Sequence, residues 1–346
     1  DRAGDYSLAT FNLTEAQLQR EKDAELFLEH ARTMARHEQF LVAGQVLSRV
    51  LPAVDAGGAH TAIAEAFLRI VLRRTIADLA IRHGRIPGAS MAILGYGKLG
   101  SREMTAQSDL DLVIVYDCPG DAMSDGDKPL FPSEWFARLT QRLISALSAP
   151  LRNGALYEID LRLRPSGRKG PVAVSLASFH SYQRDEAETW EHMALTRARP
   201  VAGDESLFGP LMAAIDDVIA KPRDPKKTAR EIASMRALMD QERKASGRFD
   251  LKLMPGGLVD IEFIAQFIVL TQAAPGLAAG TGVRAAIAAA GEAGRIARDD
   301  ADLLLEAYAL YSGLTQALRI VLIDDKAVDE QPPAFKLKLA QATGLP

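Results

Sequence analysis

The sequence predicts an α+β fold in which a small mixed sheet lies between two helical regions. Runs with strand-like apolar or alternating patterns fall between residues 86 and 205. Apolar residues at helical spacing dominate the chain before and after this region. We therefore expect an N-terminal helical segment (1–85), a sheet-containing domain (86–205) and a C-terminal helical bundle (206–346).

The composition is that of a globular protein with a sizeable core. The chain has 346 residues, of which 48% are hydrophobic and 25% charged, and its formal net charge is −4. This acidic balance gives no general attraction to nucleic acid, and neither a signal peptide nor a membrane-spanning run is apparent. Cys118 is the only cysteine, which excludes an internal disulfide and predicts a reducing, cytoplasmic location. The start at Asp1 without Met indicates a piece of a longer protein.

The N-terminal segment is expected to contain two helical stretches. Thr14 and Gln17 have the spacing of a capping box at the start of the first stretch. Pro52 and the Asp-Ala-Gly-Gly run at 55–58 predict a break. A second helix is then expected over 61–81.

A glycine-rich turn follows the apolar strand at 91–94. The glycines are Gly95, Gly97 and Gly100, which formally match the G-x-G-x-x-G dinucleotide fingerprint. That fold needs a crossover helix of about ten or more residues, whereas only 101–108 separate the glycines from the next strand. A turn whose backbone N–H groups hold a triphosphate, with Lys98 and Ser101 beside it, fits the spacing better.

The next strand begins with two carboxylates. Side chains alternate between the faces of a strand, so Asp109 and Asp111 project to the same side, while Leu110, Leu112 and Ile114 project to the other. Two close carboxylates repel unless a cation or protons neutralise them. Hard oxygen ligands of this kind suit Mg²⁺ or Mn²⁺. The pair predicts a metal site, and the alternative is a solvated Asp pair at the mouth of the strand.

Strict alternation over 157–164 predicts a further strand with one polar face. If this strand lies beside the Asp109–Asp111 strand with its polar face on the same side, Asp160 becomes a third carboxylate of the site. Arg162 and Arg164 share that face. Two interpretations stay open for them: they neutralise phosphate charge, or they form ion pairs with neighbouring carboxylates.

Four segments together resemble one enzyme family. They are GYGKLGS at 95–101 followed by SDLDL at 108–112, LYEIDLRLRPSG at 156–167, ETWEHMALTRARPVAGD at 188–204 and PGGLVDIEF at 255–263. The first is similar to the signature of the DNA-polymerase-β-like nucleotidyltransferase superfamily. The whole set, in this order, resembles the glutamine synthetase adenylyltransferase and adenylyl-removing enzyme family, and more closely its C-terminal adenylyltransferase half.

The resemblance implies a polymerase-β-like core that transfers AMP from ATP to a tyrosine of glutamine synthetase by a two-metal mechanism, releasing pyrophosphate. It implies that Asp109, Asp111 and Asp160 hold the Mg²⁺ or Mn²⁺ ions and carry the chemistry. The residues expected to bind the nucleotide are Gly97, Lys98, Gly100, Ser101, Ser108, Arg162 and Arg164. In the family, glutamine and the PII signalling protein act as regulators, and neither nucleic acid nor a membrane is expected as a partner.

Three other functions stay open. The nearest is the adenylyl-removing half of the same enzyme, which strips AMP with phosphate. A nucleotidyltransferase acting on RNA is disfavoured by the acidic balance and by the lack of an aromatic and basic stripe. A non-catalytic binding module is disfavoured by the intact carboxylates.

The last two motifs carry further candidates. Trp190 is expected to be buried, and His192 to be a core or surface residue, since helical spacing alone places both in packing. Arg197 and Arg199 are stronger functional candidates, although no role can be assigned to them from sequence. A helix is expected over 258–272, and the helix dipole is sufficient reason for the early positions of Asp260 and Glu262. The family resemblance implies an alternative, in which this turn faces the active site.

Overall fold

A computed structural model describes residues 18, 21–120, 122–150, 154–245, 247, 249–272, 274–322, 328 and 331–342. It confirms the predicted α+β class, with a small mixed sheet among many helices. The proposed capping box of Thr14 and Gln17 lies outside the described residues. Within the described ranges, every helix is too short or too polar to cross a membrane.

The helices and strands alternate irregularly along the chain. The helices are α1 (Ala24–Leu47), α2 (Ala56–His83), α3 (Gly97–Gly100), α4 (Pro132–Ser148), α5 (Leu176–Asp185), α6 (Thr189–Leu195), α7 (Glu205–Ile219), α8 (Pro225–Glu242), α9 (Leu258–Leu270), α10 (Val283–Glu292), α11 (Arg298–Val321) and α12 (Pro333–Ala342). The strands are β1 (Ser90–Gly95), β2 (Leu110–Asp117), β3 (Ile159–Asp160), β4 (Ala173–Ser175) and β5 (Arg199–Gly203).

The sheet has the order β3-β2-β1-β5, and β4 also pairs with β2. Strand β1 is antiparallel to both of its neighbours, β2 and β5. Strands β3 and β4 both run parallel to β2 along one edge, β3 beside its first residues and β4 nearer its end. The register places Asp160 directly beside Asp111.

The two faces of the sheet are covered by different helical regions. Leu110, Leu112 and Ile114 of β2 pack into a core with α1, α2 and α4. Val113 and Val115 pack into a second core with α7, α9, α10 and α11. Because side chains alternate along a strand, the carboxylate of Asp111 lies on the same face as this second core.

The predicted strand over 157–164 is wrong in length, because β3 contains only two residues. A tight turn begins directly after Asp160, in which Arg164 N–H donates to Leu161 O at 3.2 Å and Gly167 N–H donates to Arg164 O at 2.8 Å. These bonds replace ladder bonds to β2. The alternation of polar and apolar residues therefore continues beyond the segment that pairs as a strand.

The predicted break between the two N-terminal helices is confirmed around Pro52, but it ends earlier than expected, because α2 begins at Ala56 and includes both glycines. At Gly57, an added Cβ would lie 3.0 Å from the Cα of Glu103. The glycine is therefore used for close approach between α2 and the loop after α3, and not to end a helix.

Trp190, which was expected to be buried, is 42% exposed. Its indole N–H donates to Glu188 Oε2 at 3.0 Å. The ring lies on the outer surface of the short helix α6, whose buried residues include Met193 and Leu195.

Candidate functional site

Three carboxylates converge at one edge of the sheet. Asp109 directly precedes β2, Asp111 is the second residue of that strand, and Asp160 lies on β3 in direct register with Asp111. One oxygen from each of the three residues can be chosen so that all lie within 4.8 Å of one another. Asp109 is exposed, whereas the other two are half-buried. The structure therefore brings together the three residues that the sequence nominated as metal ligands.

The electrostatics of Asp111 reflect this crowding. Burial, together with the charges of Asp109 and Asp160, raises the pKa of Asp111 to about 6, although Arg197 and Lys252 partly oppose the rise. A carboxylate with a raised pKa is destabilised in its ionised form. A divalent cation among the three oxygens relieves this repulsion, so the donor set fits a hard metal ion such as Mg²⁺.

Asp160 is held differently from Asp111. Partial burial acts to raise the pKa of Asp160, but hydrogen bonds from the side chain and backbone of Arg162 outweigh burial and lower it. The backbone N–H of Arg162 donates to Oδ1 at 2.8 Å and its Nε donates to Oδ2 at 2.7 Å. Of the two interpretations left open for Arg162, the ion pair is therefore the one present in this structure.

Arg164 does not share the carboxylate environment of Arg162. Its guanidinium donates to three backbone carbonyls of the turn after β3: Leu161 O at 2.8 Å, Arg168 O at 3.2 Å and Gly170 O at 3.3 Å. These contacts stabilise the turn that begins directly after Asp160. Nucleotide binding by Arg162 and Arg164 stays a prediction.

The glycine turn packs directly against Asp111. Gly97 has φ +53°, and a Cβ at this position would lie 2.4 Å from Asp111 Oδ2. The Tyr96 N–H also donates to the Asp111 carbonyl at 2.9 Å. Only glycine allows both the left-handed backbone and the close carboxylate.

Gly100 and Ser101 end this turn and are used internally. Gly100 N–H donates to Tyr96 O at 2.9 Å, and Ser101 N–H donates to Gly97 O at 3.1 Å. A helix leaves its first N–H groups without internal acceptors, so the amides at the start of α3 are the ones open to phosphate. Contact of Gly100 and Ser101 with phosphate stays a prediction.

Lys98 occupies the first turn of α3 and is half-buried. Burial lowers the pKa of its ammonium, the charge of Glu262 opposes that effect, and the nearby cations Lys252, Arg197 and Arg319 add to it. Within the described residues, no hydrogen bond or ion pair reaches this ammonium. A poorly compensated, partly desolvated cation in the same cleft as Asp109 and Asp111 is suited to an incoming anion.

A cleft of ≈ 640 Å³ is lined by Asp109, Asp111 and Lys98. Its other wall comes from the C-terminal bundle and from the loop before α9. The lining residues that sequence reasoning did not nominate include Phe249, Leu251, Lys252, Leu318 and Arg319. Ser108 also lines the cleft, and its Oγ accepts from the Thr105 N–H at 2.9 Å, which fixes the loop before β2.

The cleft adjoins a smaller cavity of ≈ 350 Å³. Lys98, Glu262 and Thr315 are among the residues that line both spaces. Tyr308, Arg284 and the start of α2 complete the smaller cavity.

Glu262 faces this site, although the helix dipole was sufficient reason for its position. Its Oε2 lies 3.0 Å from a guanidinium nitrogen of Arg197. Asp260 instead pairs with Arg236 of α8 at 2.5 Å. Asp260 and Glu262 lie on different sides of α9, and this difference could have assigned only Glu262 to the site. It becomes informative only when the elements that pack on each side of the helix are known.

Comparison with known proteins gives two family matches. Residues 4–209 match the family model described as glutamate-ammonia ligase adenylyltransferase. Residues 229–346 match the model described as GlnD PII-uridylyltransferase.

Curated relatives match nearly the whole chain. A bifunctional glutamine synthetase adenylyltransferase/adenylyl-removing enzyme of Brucella suis biovar 1 (strain 1330) is 46% identical over 330 residues, covering 94% of this chain and 33% of the relative. The enzyme of the same name from Mesorhizobium japonicum is 45% identical over 334 residues, covering 96% of this chain and 34% of the relative. The chain thus spans about a third of the length of these relatives.

Proposed function

The chain belongs to the glutamate-ammonia ligase adenylyltransferase family, and on this premise we propose that it transfers AMP from ATP to a tyrosine of glutamine synthetase, releasing pyrophosphate. The observation that carries the proposal is the convergence of Asp109, Asp111 and Asp160, the first two of which line a cleft together with Gly97 and Lys98. The names of the curated relatives support the acceptor, because glutamine synthetase appears in them.

The three carboxylates are assigned to Mg²⁺, with Mn²⁺ as a chemically similar substitute. The closeness of their oxygens and the raised pKa of Asp111 support this assignment. When bound, a divalent cation supplies Lewis-acid stabilisation of the phosphoryl oxygens.

The triphosphate is assigned to the first turn of α3. Lys98 supplies a partly desolvated positive charge, and Gly97 leaves the backbone amides of this turn accessible beside Asp111. Lys252 and Arg319 line the same cleft from the other wall and add positive charge. Together these groups orient the triphosphate so that its α-phosphoryl group faces the acidic edge.

Removal of the proton from the acceptor hydroxyl is assigned to the acidic edge. A tyrosine hydroxyl has a reference pKa of about 10 and is mostly protonated at neutral pH. Asp160 is ionised, but its lowered pKa makes it a weak proton acceptor. This favours a role for Asp160 as a cation ligand over a role as the general base.

The test is an adenylylation assay with purified, unmodified glutamine synthetase and ATP labelled on the α-phosphate. Incorporation of label that depends on Mg²⁺ supports AMP transfer. Release of ADP from previously adenylylated synthetase in the presence of phosphate instead identifies the adenylyl-removing activity. If neither reaction occurs, the proposed acceptor is wrong.

A matched pair of variants locates the chemistry. Asp109→Asn removes a carboxylate from the acidic edge and is expected to abolish incorporation. Asp117→Asn removes an exposed carboxylate from the other end of the same strand and is expected to retain it. Unchanged activity in Asp109→Asn contradicts the catalytic assignment.

The regulators implied by the family, glutamine and the PII signalling protein, stay predictions, as does the cytoplasmic location.

A further inference from the structure

Arg197 joins the glycine turn to the C-terminal bundle. A guanidinium nitrogen donates to Ser101 Oγ at 2.7 Å and lies 2.6 Å from Glu103 Oε2, just after the turn. The other terminal nitrogen lies 3.0 Å from Glu262 Oε2 on α9. Only 6% of Arg197 is exposed, so a single buried side chain spans the two regions.

Arg199 joins the same turn to the N-terminal helices. Its Nε donates to Gly100 O at 2.8 Å, and a terminal nitrogen donates to Leu99 O at 3.1 Å. Both carbonyls lie at the end of α3, and Leu99 O also accepts from the Arg102 N–H at 3.4 Å. The guanidinium also forms an ion pair with Glu65 of α2.

The backbone of the same segment packs against the turn. A Cβ at Gly100 would lie 1.9 Å from the carbonyl oxygen of Arg197. Gly100 is therefore needed for the close approach of two chain segments, in addition to any contact with phosphate. The T-R-A-R segment at 196–199 thus holds the turn through one backbone contact and two side chains.

The charges around Arg197 make this a persistent connection. Burial acts to lower the pKa of its guanidinium, but Glu262 and Glu103 outweigh burial and raise it, so Arg197 stays charged. Removing one partner of a buried ion pair leaves an uncompensated charge and is strongly destabilising. An exposed ion pair would contribute far less.

We infer that Arg197 is a positioning residue, which holds the Gly97–Ser101 turn against α9 so that the turn keeps its place opposite Asp111. Arg199 holds the turn in the same way towards α2. Neither residue is needed as a phosphate ligand, because its guanidinium is already occupied by protein acceptors. The inference rests on the proposed function for the identity of the nucleotide, whereas the contacts that hold the turn do not depend on it.

The experiment separates positioning from simple stabilisation. Arg197→Met leaves the half-buried carboxylates of Glu103 and Glu262 without their cation, so its melting temperature is expected to fall. The double variant Arg197→Met/Glu262→Gln removes one of those charges and is expected to recover much of the melting temperature. Arg197→Lys retains the charge but cannot bridge all three acceptors, and it is expected to lie between Arg197→Met and the wild type.

Two measurements are then made on the stabilised double variant. Amide hydrogen exchange over 95–103 is expected to stay faster than in the wild type. The KM for ATP is expected to stay raised by about tenfold, with a smaller change in kcat, because the misplaced turn weakens triphosphate binding. If exchange and KM both return to wild-type values together with the melting temperature, Arg197 is only a structural residue and the inference is wrong.

Arg184→Met is the matched control. Arg184 pairs with Asp185 at 3.0 Å on the surface of α5, away from the cleft, and its loss is expected to leave exchange over 95–103 and the KM for ATP unchanged. If the wild type fails to bind ATP, the proposed function fails. The exchange data still decide whether Arg197 holds the turn.

Discussion

The two walls of the cleft differ in whether their charged side chains are paired with side chains of opposite charge. On the acidic edge, three carboxylates crowd together, and the pKa of Asp111 is raised to about 6. On the opposite wall, the Arg197 guanidinium lies between Glu103 and Glu262, so each of the three side chains has an ion-pair partner. Crowded charge of one sign is suited to a ligand of the opposite sign, whereas paired charge stabilises the contact between chain segments.

Lys98 is likewise poorly compensated, but its charge is positive. Its ammonium is half-buried between the two walls and depends on Glu262 for the main favourable charge nearby. An acidic edge suited to a cation thus lies beside a cation suited to an anion. A metal–triphosphate complex satisfies both requirements at once.

The largest expected effect comes from removing one carboxylate charge from the acidic edge. Asp111→Asn is expected to reduce adenylylation by about 1,000-fold or more, because a ligand that stabilises the transition state is lost. In the absence of divalent cations, the same change is expected to raise the melting temperature at neutral pH, because it removes the repulsion. A variant that keeps its activity, or that is destabilised without metal, contradicts the idea that this wall is strained for function.

The pH dependence of stability sharpens the comparison. The folded-state pKa of Asp111 is raised to about 6, so the folded protein prefers the protonated form. The contribution of Asp111 to the free energy of unfolding is fully present below about pH 4 and is lost as the pH rises through 6.

The corresponding measurement is chemical unfolding of the wild type and Asp111→Asn in EDTA between pH 4 and 8. The advantage of Asp111→Asn is expected to grow with pH by at most about 3 kcal/mol. A pH-independent difference between the two proteins contradicts the prediction. Saturating Mg²⁺ is expected to shrink the gap.

A third change alters the contact between the glycine turn and Asp111. Gly97→Ala places a Cβ against Asp111 Oδ2 and forces a side chain onto a backbone with φ +53°. Activity is expected to fall by about 100-fold, because the turn or the carboxylate must move by several tenths of an ångström. Gly44→Ala on α1, whose Cβ would meet no atom within 4 Å, is the control and is expected to retain full activity.

The smallest effect is expected for Lys98→Met. Loss of one cation from the proposed triphosphate site is expected to raise the KM for ATP by about tenfold and to leave the KM for glutamine synthetase unchanged. Lys226→Met, an exposed change on the first turn of α8, serves as the control. An unchanged KM for ATP in Lys98→Met removes this residue from the site.

The acidic edge was predictable because it depends on local pattern. The two-residue period of a strand places Asp109 and Asp111 on one face, and the structure confirms that Leu110, Leu112 and Ile114 pack on the other. The nomination of Asp160 needed only one further condition, which the parallel pairing of β3 with β2 meets.

The balanced wall was not predictable from local pattern. Arg197, Glu103 and Glu262 come from three distant parts of the chain, and no periodicity states which charges meet. The alternation over 157–164 also misled, because Arg164 bonds the turn carbonyls and does not extend a strand. Strand β5 was missed since its five residues include Pro200 and a glycine with φ +117°.

Strand β2 contributes alternate side chains to both hydrophobic cores and therefore separates the two helical regions. A single peptide unit separates Asp111 from Leu112, whose side chain is packed on the far face. A change in the packing of α1, α2 and α4 can therefore displace the backbone that carries Asp111, although none of these helices contributes one of the three carboxylates. We therefore expect substitutions deep in the N-terminal helices to alter catalysis as well as stability.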